Sequence, residues 1–440
     1  MTSDRRLPVA IVGGGFSGTM VAAQLARNGI DAVLIEKAGR AGQGIAYSTR
    51  EPAHVLNVRA EVMSAWADDL EHFVRVAEQE GGNRRDFVQR RQFGRYLKGL
   101  LADAVSSGHV RVAEHQAVEA KPDDGGWTVR LDGGDAIAAS GLVLALGNQP
   151  PEPLPFGRDS SRVINNPWGS EALAAVEDLA ATNEDVLLVG TGLTMVDAVL
   201  SLDAAGHRGR IVGLSRRGLI PRGHADFTPA PVEEAEVPTG NVRTLWRWLR
   251  RRGAEVGWRA AIDGLRPHSQ RLWQSLPKPE QRRFARHARP WWDVHRHRIA
   301  PEVAQRLHEL VQEGRLEIVA GRIRSVEEEN GAIEVAFRRR GTERIERGRF
   351  AYMLNCTGPL GTISRTNDPM LRQMLADDLI RPDQLGIALD VDDRSRVAGS
   401  EKAWAMGPLT KGRYWEIIAV PDIRGQAAAV ADDIAMELGR

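Results

Sequence analysis

Two glycine turns carry the clearest chemistry in this chain. The first reads Gly13-Gly14-Gly15-Phe16-Ser17-Gly18, and Glu36-Lys37 follows, with Glu36 23 residues after Gly13. Glycines at this spacing let backbone approach a pyrophosphate, and a helix starting there offers unpaired N–H groups to its oxygens. Glu36 stands at the distance at which a carboxylate accepts hydrogen bonds from ribose hydroxyls. The second turn reads Gly190-Thr191-Gly192-Leu193-Thr194-Met195, with Met195 in place of a third glycine. No acid ends the strand that follows it; Ser215, Arg216 and Arg217 stand there instead. An acid would repel a 2′-phosphate, whereas guanidinium groups bind one bidentately, so the second turn favours NADP over NAD. The plainer alternatives are a tight strand-to-helix turn with no nucleotide and, for Arg216 and Arg217, ordinary solvated loop charges.

Other chemistries find less support. His295-Arg296-His297-Arg298 suggests a metal, but histidines at i and i+2 do not share a helix face, and Asp293 is the only close carboxylate. No metal is expected; His295, Arg296 and His297 are candidates for a structural or substrate-facing role. Cys356 is the only cysteine, which excludes an internal disulfide and a dithiol redox centre. It follows a buried strand and reads as a core thiol. The 59 basic and 58 acidic residues leave a net charge of +1, giving no reason to expect nucleic acid or an anionic membrane. Residues 1–6 are polar and no apolar stretch approaches the roughly 18 residues that span a bilayer. The expected home is the cytoplasm.

Each turn needs elements to hold it. Val9-Ala10-Ile11-Val12 and Ala32-Val33-Leu34-Ile35 are unbroken apolar runs, as parallel strands buried on both faces should be. Between them Met20, Val21, Ala23, Leu25 and Ala26 repeat with a helical period until Asn28-Gly29. Val186-Leu187-Leu188-Val189, a helix through Val196, Val199 and Leu202, and Ile211-Val212-Gly213-Leu214 repeat the design. Each unit has the same sequel: a hairpin broken by Asp123-Asp124-Gly125-Gly126 or by Glu329-Asn330-Gly331, then an apolar strand ending in Leu146-Gly147-Asn148 or Cys356-Thr357-Gly358. The expected fold is α/β, with two Rossmann-like dinucleotide-binding domains. Residues 240–300 differ. They hold six of the eleven tryptophans and fourteen arginines, and read as a helical insertion broken at Gly253, Pro267, Pro277 and Pro290.

These motifs, with Gly42-Gln43-Gly44-Ile45-Ala46-Tyr47, Leu56-Asn57-Val58, Met63-Ser64 and Asn355-Cys356-Thr357-Gly358-Pro359, resemble the bacterial FAD/NAD(P)-binding protein family. That family lies among the two-dinucleotide-binding flavoproteins of glutathione-reductase-like architecture and is related to flavin-dependent N-hydroxylating monooxygenases. The resemblance covers nearly the whole chain. It implies an FAD-binding domain over 1–157 and 349–440, and an NADPH-binding domain over 158–348 that includes a helical insertion at 225–310. It implies FAD contacts at Gly13, Gly15, Phe16, Ser17, Gly18, Glu36, Lys37, Gly44, Ile45, Asn57, Met63, Gly147 and Gly407. NADPH contacts fall at Gly190, Gly192, Leu193, Thr194, Ser215, Arg216 and Arg217, with Thr357 and Gly358 at the second crossing between domains. One departure stands out. Many relatives carry a Gly-Asp pair at the flavin ribityl chain; here the stretch reads Ala405-Met406-Gly407-Pro408-Leu409, with no aspartate.

The function so implied is an FAD-dependent, NADPH-consuming monooxygenase. Reduced flavin adds dioxygen at C4a, and the resulting peroxide oxygenates a small nucleophilic substrate, an amine in the first instance and anionic if the insertion's arginines face it. The alternatives are an NADPH-dependent flavin reductase or dehydrogenase, and a non-catalytic nucleotide sensor.

Overall fold

The structure is a computed structural model describing residues 7–37 and 39–439; the polar lead-in at 1–6 lies outside the described residues. Val9–Val12 occupies the centre of a five-stranded parallel sheet in the order Ala403–Ala405, Gly141–Leu144, Val9–Val12, Ala32–Ile35, Val110–Ala113. Ala10, Ile11 and Leu34 are wholly buried because helices cover one face and a small antiparallel sheet, Ala117–Asp123, Gly126–Leu131 and Ala136–Ala139, covers the other. Helix Phe16–Arg27 runs back between the first two strands and packs on the long C-terminal helix Val420–Glu437.

The second sheet repeats the plan. Its parallel strands run Leu316–Glu329, Ile211–Ser215, Val186–Val189, Tyr352–Asn355, Val163–Ile164, with Ala332–Arg339 and Ile345–Phe350 added antiparallel at one edge. Leu316–Glu329 does two jobs, pairing parallel to Ile211–Ser215 with its first half and antiparallel to Ala332–Arg339 with its second. The expected return to the first unit at residue 349 needs correction. Tyr352–Asn355 pairs along its length with Val186–Val189, so the chain leaves the second sheet only after Asn355. The bulk of Met195 is absorbed locally. It is fully buried, and Gly213 on the adjoining strand carries no side chain against it; a Cβ there would lie 3.8 Å from the Met195 Cγ.

The insertion is helical, as expected, with helices Val242–Val256, Trp258–Leu265, Ser269–Ser275, Lys278–Arg283 and Arg289–Arg296. Two of the expected breaks are corrected. Gly253 lies inside the first helix, under Trp258, and the helix stops at Gly257, whose φ of 83° other residues avoid. Pro290 does not end the helix but distorts it: the run from Lys278 continues through a π-helical stretch, Phe284–Ala288, into helix Arg289–Arg296. The insertion returns to its starting point: Gly223 and Ile299 form a parallel bridge. Its apolar side rests on the arm after Gly407. The Trp273 Nε1 donates to the Gly412 carbonyl at 2.9 Å, and its ring stacks on Trp415 with centroids 4.5 Å apart.

Candidate active site

At the first turn, glycine is required by backbone crowding. Gly13 has φ 107°, and a Cβ on it would lie 2.4 Å from the Ala145 carbonyl oxygen. A Cβ on Gly18 would meet the Gly13 carbonyl oxygen at 1.9 Å, so helix and strand touch only because both residues are bare. The Gly14 N–H donates to the Glu36 carboxylate at 2.7 Å, which anchors that carboxylate at the strand end beside the turn. Helix Phe16–Arg27 starts with no side-chain cap and no acid in its first turn. Its first N–H groups are therefore left for a ligand, with the positive end of the helix dipole behind them. The helical turn Gly44–Tyr47 lies over this place: a Cβ on Gly44 would be 2.8 Å from the Gly15 Cα. Ile45 is exposed and Lys37 points to solvent. Gly407 closes the other side. It has φ 58°, donates its N–H to the Gln426 side chain at 2.8 Å, and leaves no room for a Cβ beside the Ser17 hydroxyl.

The second turn copies the first. Gly190 has φ 109°, and a Cβ on it would lie 2.3 Å from the Cys356 carbonyl oxygen, as Gly13 stands to Ala145. Helix Leu193–Ala204 also starts uncapped and without an early acid, so Leu193 and Thr194 present backbone N–H groups. Nothing lies within 4 Å of a Cβ built on Gly192, so that face is open. The Ser215 hydroxyl is tied to the Thr191 hydroxyl at 2.8 Å and accepts the Gly218 N–H at 3.0 Å. That fixes the loop on which Arg216 and Arg217 stand, and neither arginine has an ion-pair partner among the described residues. Two bare, uncapped turns, one ending in an acid and one in unpaired guanidinium groups, fit a dinucleotide each.

The two crossings mirror each other as well. Gly147, at φ 65°, and Gly358, at φ 92°, follow equivalent strands and face open space, while Thr357 is held by the Asn355 side chain. Leu360 donates to the Gln149 carbonyl at 3.2 Å and accepts from the Lys411 ammonium at 3.3 Å, which gathers both crossings and the Gly407 turn in one place. Burial there pulls the Lys411 amine down to about 8. Beside the Gly407 turn opens a cleft of about 630 Å³. Val62 of the first unit, Arg266 and Gln270 of the insertion, and Tyr414, Asp422 and Gln426 of the C-terminal region line it. Arg424 holds its rim by donating to the Ser64 carbonyl at 2.9 Å, which also fixes buried Met63.

The candidates at 295–297 divide. Arg296 is buried and donates to the Glu416 carboxylate at 3.0 Å, so its charge is matched within the protein. His297 is held below its usual range by burial. The His295 Nδ1 donates to the Trp291 carbonyl at 2.7 Å, and the ring meets Trp258 edge-on. Sequence reasoning passed over His224. Its Nε2 donates to the Asn57 carbonyl at 2.9 Å, joining the loop after the second turn to the first unit. Burial, helped by the nearby Arg298 charge, depresses its pKa to about 4, so the ring is neutral at neutral pH. No periodicity marks such a residue; only the topology brings 57 and 224 together. The thiol of Cys356 is buried and pushed up to about 12. No cluster of His, Cys, Asp or Glu able to hold a metal occurs among the described residues, and no helix among them is long and apolar enough to cross a membrane.

Comparison with known proteins agrees with this reading of the fold. Residues 10–149 match the family described as FAD-NAD(P)-binding. A Baeyer-Villiger monooxygenase, ATR8, from Stachybotrys chlorohalonatus (strain IBT 40285) is 28% identical over 210 residues, which are 45% of this chain and 32% of that protein. The match thus spans about a third of the relative's length. Among solved structures, L-lysine 6-monooxygenase from Pseudomonas syringae superposes with a TM-score of 0.69 at 16% identity, over 98% of this chain and 100% of that one. The reduced form of ornithine hydroxylase from Pseudomonas aeruginosa gives 0.67 at 14% identity, with the same coverage. The architecture is that of the two-dinucleotide-binding flavoproteins.

Proposed function

We propose that this chain, whose residues 10–149 form an FAD-NAD(P)-binding domain, is an FAD-dependent, NADPH-consuming monooxygenase acting on a small nucleophilic substrate, in the first instance an amine. The observation that carries the reading is the pairing of two uncapped glycine turns with ends of opposite charge in one chain. Glu36 suits the adenosine ribose of FAD, and Arg216 and Arg217 suit the 2′-phosphate of NADPH. When bound, the flavin supplies hydride acceptance from NADPH and delivery of the electrons to dioxygen. The protein's own residues bind, orient and shield. Helix Phe16–Arg27 holds the pyrophosphate end and the Gly407 turn lies toward the flavin, while Asn57 and the neutral His224 join the two units. Arg266 and Gln270 of the insertion line one side of the cleft, and Trp273 of the insertion stacks on Trp415 of the C-terminal arm.

The oxygenase resemblance favours oxygen insertion over simple reduction, and a chain whose one cysteine is Cys356 has no Cys-x-x-Cys pair for the disulfide-reductase version of the alternative. Oxygen uptake and hydrogen peroxide release per NADPH, measured with and without a panel of amines, test the proposal. A substrate should lower peroxide release below NADPH consumption. NADPH oxidation coupled to an organic acceptor without oxygen uptake would assign a reductase, and no oxidation at all would assign a sensor.

A further inference from the structure

We infer that Arg259 and Arg298, both beside the Trp258 ring, form an anchoring site for a carboxylate on the substrate; this rests on the monooxygenase reading. Their Cζ atoms lie 4.3 and 6.0 Å from the Trp258 ring centroid, and that of Arg298 lies 5.8 Å from Phe227. The Arg298 side chain is only 4% exposed, yet its Nε and Nη1 have no hydrogen-bond partner. The Arg259 Nε is likewise buried and unpartnered, although Nη2 donates to the Gly223 carbonyl at 2.9 Å. An arginine cannot shed its proton to relieve such a situation. Arg222 adds a third guanidinium close enough to act on Arg259, and among the described residues Asp263 is the one carboxylate bonded to the group, through the Arg298 Nη2. Positive charge is therefore in excess, and N–H groups await acceptors.

The location gives the cluster its role. His224 lies next to Gly223 in the chain, feels the Arg298 charge and touches Asn57 of the first unit. A carboxylate held at Arg259 and Arg298 therefore sits on the insertion at the wall between the nucleotide units. Its planar pair of oxygens matches the guanidinium fork, and Trp258 provides the apolar floor for the chain behind it. Arg296, the more prominent candidate in the sequence, is excluded because Glu416 already neutralises it.

The anionic group could instead be a coenzyme phosphate, so the test has two arms. Calorimetric titration of FAD-loaded protein compares 5-aminopentanoate with pentylamine, which differ only in the carboxylate. The parent should bind the carboxylate at least about tenfold tighter, and Arg259→Met should abolish that preference, as should Arg298→Met. Arg259 is less deeply buried than Arg298, so its variant tests the site even if Arg298→Met fails to fold. The second arm measures the NADPH concentration that half-saturates anaerobic flavin reduction. No preference for the carboxylate in the parent overturns the inference. So does an Arg259→Met variant that keeps the preference, or one that keeps it while requiring more NADPH, which assigns the cluster to the coenzyme. Failure of the monooxygenase reading shows separately, as NADPH oxidation without oxygen uptake.

Discussion

Arg90 grips both carboxylate oxygens of Asp197, at 2.8 and 3.0 Å, and the pair is largely buried. Arg90 opens helix Arg90–Ser106 of the first unit, and Asp197 lies on helix Leu193–Ala204, which rises from the second glycine turn. His54 joins the same contact, its Nε2 lying 3.0 Å from the Asp197 carbonyl and 3.1 Å from the Ser201 hydroxyl. The two nucleotide turns are thus set against each other by a directional polar lock. Removing one member of a buried pair leaves a charge without a partner, at a cost of about 3 kcal/mol. Arg90→Leu should lower the thermal midpoint by several degrees, and the double variant with Asp197→Leu should recover part of the loss. A midpoint equal to the parent's in the single variant would show that the lock contributes nothing.

The glycines of the two turns should separate folding from cofactor binding. A Cβ on Gly192 meets nothing within 4 Å, so Gly192→Val should fold and keep its FAD while losing NADPH affinity. Gly15→Val should yield colourless protein, because a side chain there intrudes between the turn and Gly44, where the pyrophosphate belongs. Absorbance of the purified variants and the NADPH dependence of flavin reduction check both.

Arg216 and Arg217 should select the coenzyme. A charge-assisted contact to a phosphate is worth roughly 1.5–3 kcal/mol, about ten- to a hundred-fold in affinity. Replacing both with alanine should cost that much for NADPH and little for NADH. Equal flavin reduction rates with the two coenzymes in the parent would refute the assignment.

How far these residues could be read from the sequence differs sharply among them. The turns were legible because a doubly buried parallel strand is a continuous apolar run, and glycine spacing reports backbone crowding directly. Gly253 and Gly257 look alike as text, yet only the second needs a positive φ, which depends on where the next helix must go. Arg296 and Arg298 are two residues apart and equally charged. Their fates differ: Glu416, 120 residues further on, reaches Arg296, whereas Arg298 bonds Asp263 and keeps two buried nitrogens without a partner. Asp197 did leave a trace: an acid among the buried apolar positions of one helix implies a partner, although nothing local names Arg90.

His224 should make the protein acid-sensitive. Its pKa is depressed to about 4 in the folded protein from an ordinary 6.5, because burial and Arg298 disfavour the imidazolium. Between those values the unfolded chain binds the extra proton, so stability falls as pH drops from about 6.5 toward 4. His224→Gln keeps a donor for the Asn57 carbonyl and should flatten that part of the pH dependence, measured as the difference in thermal midpoint between variant and parent. Parallel curves would show that the ring does not titrate in this way.

Cys356 should be silent toward thiol reagents. Burial raises its thiol to about 12, far above working pH, and thiolate is the reactive form. Folded protein at pH 8 should take up no label, and one equivalent should react after denaturation. Rapid labelling of the folded chain would place the thiol in a more open setting than beside the second turn.

The bridge between Gly223 and Ile299 gives the helical insertion a narrow stem. His224 donates to Ile299 and Ile299 donates back to Arg222, so the segment leaves and rejoins the second unit at one spot. A graft needs just such a stem, since the host sheet does not register what hangs from it. Selection can therefore rework residues beyond that stem without disturbing either strand order, so long as the contacts of Trp273 and Arg296 with the C-terminal arm are kept. On the proposed function, choice of substrate and supply of electrons would then be inherited as separable traits, the first free to diverge while the second stays fixed.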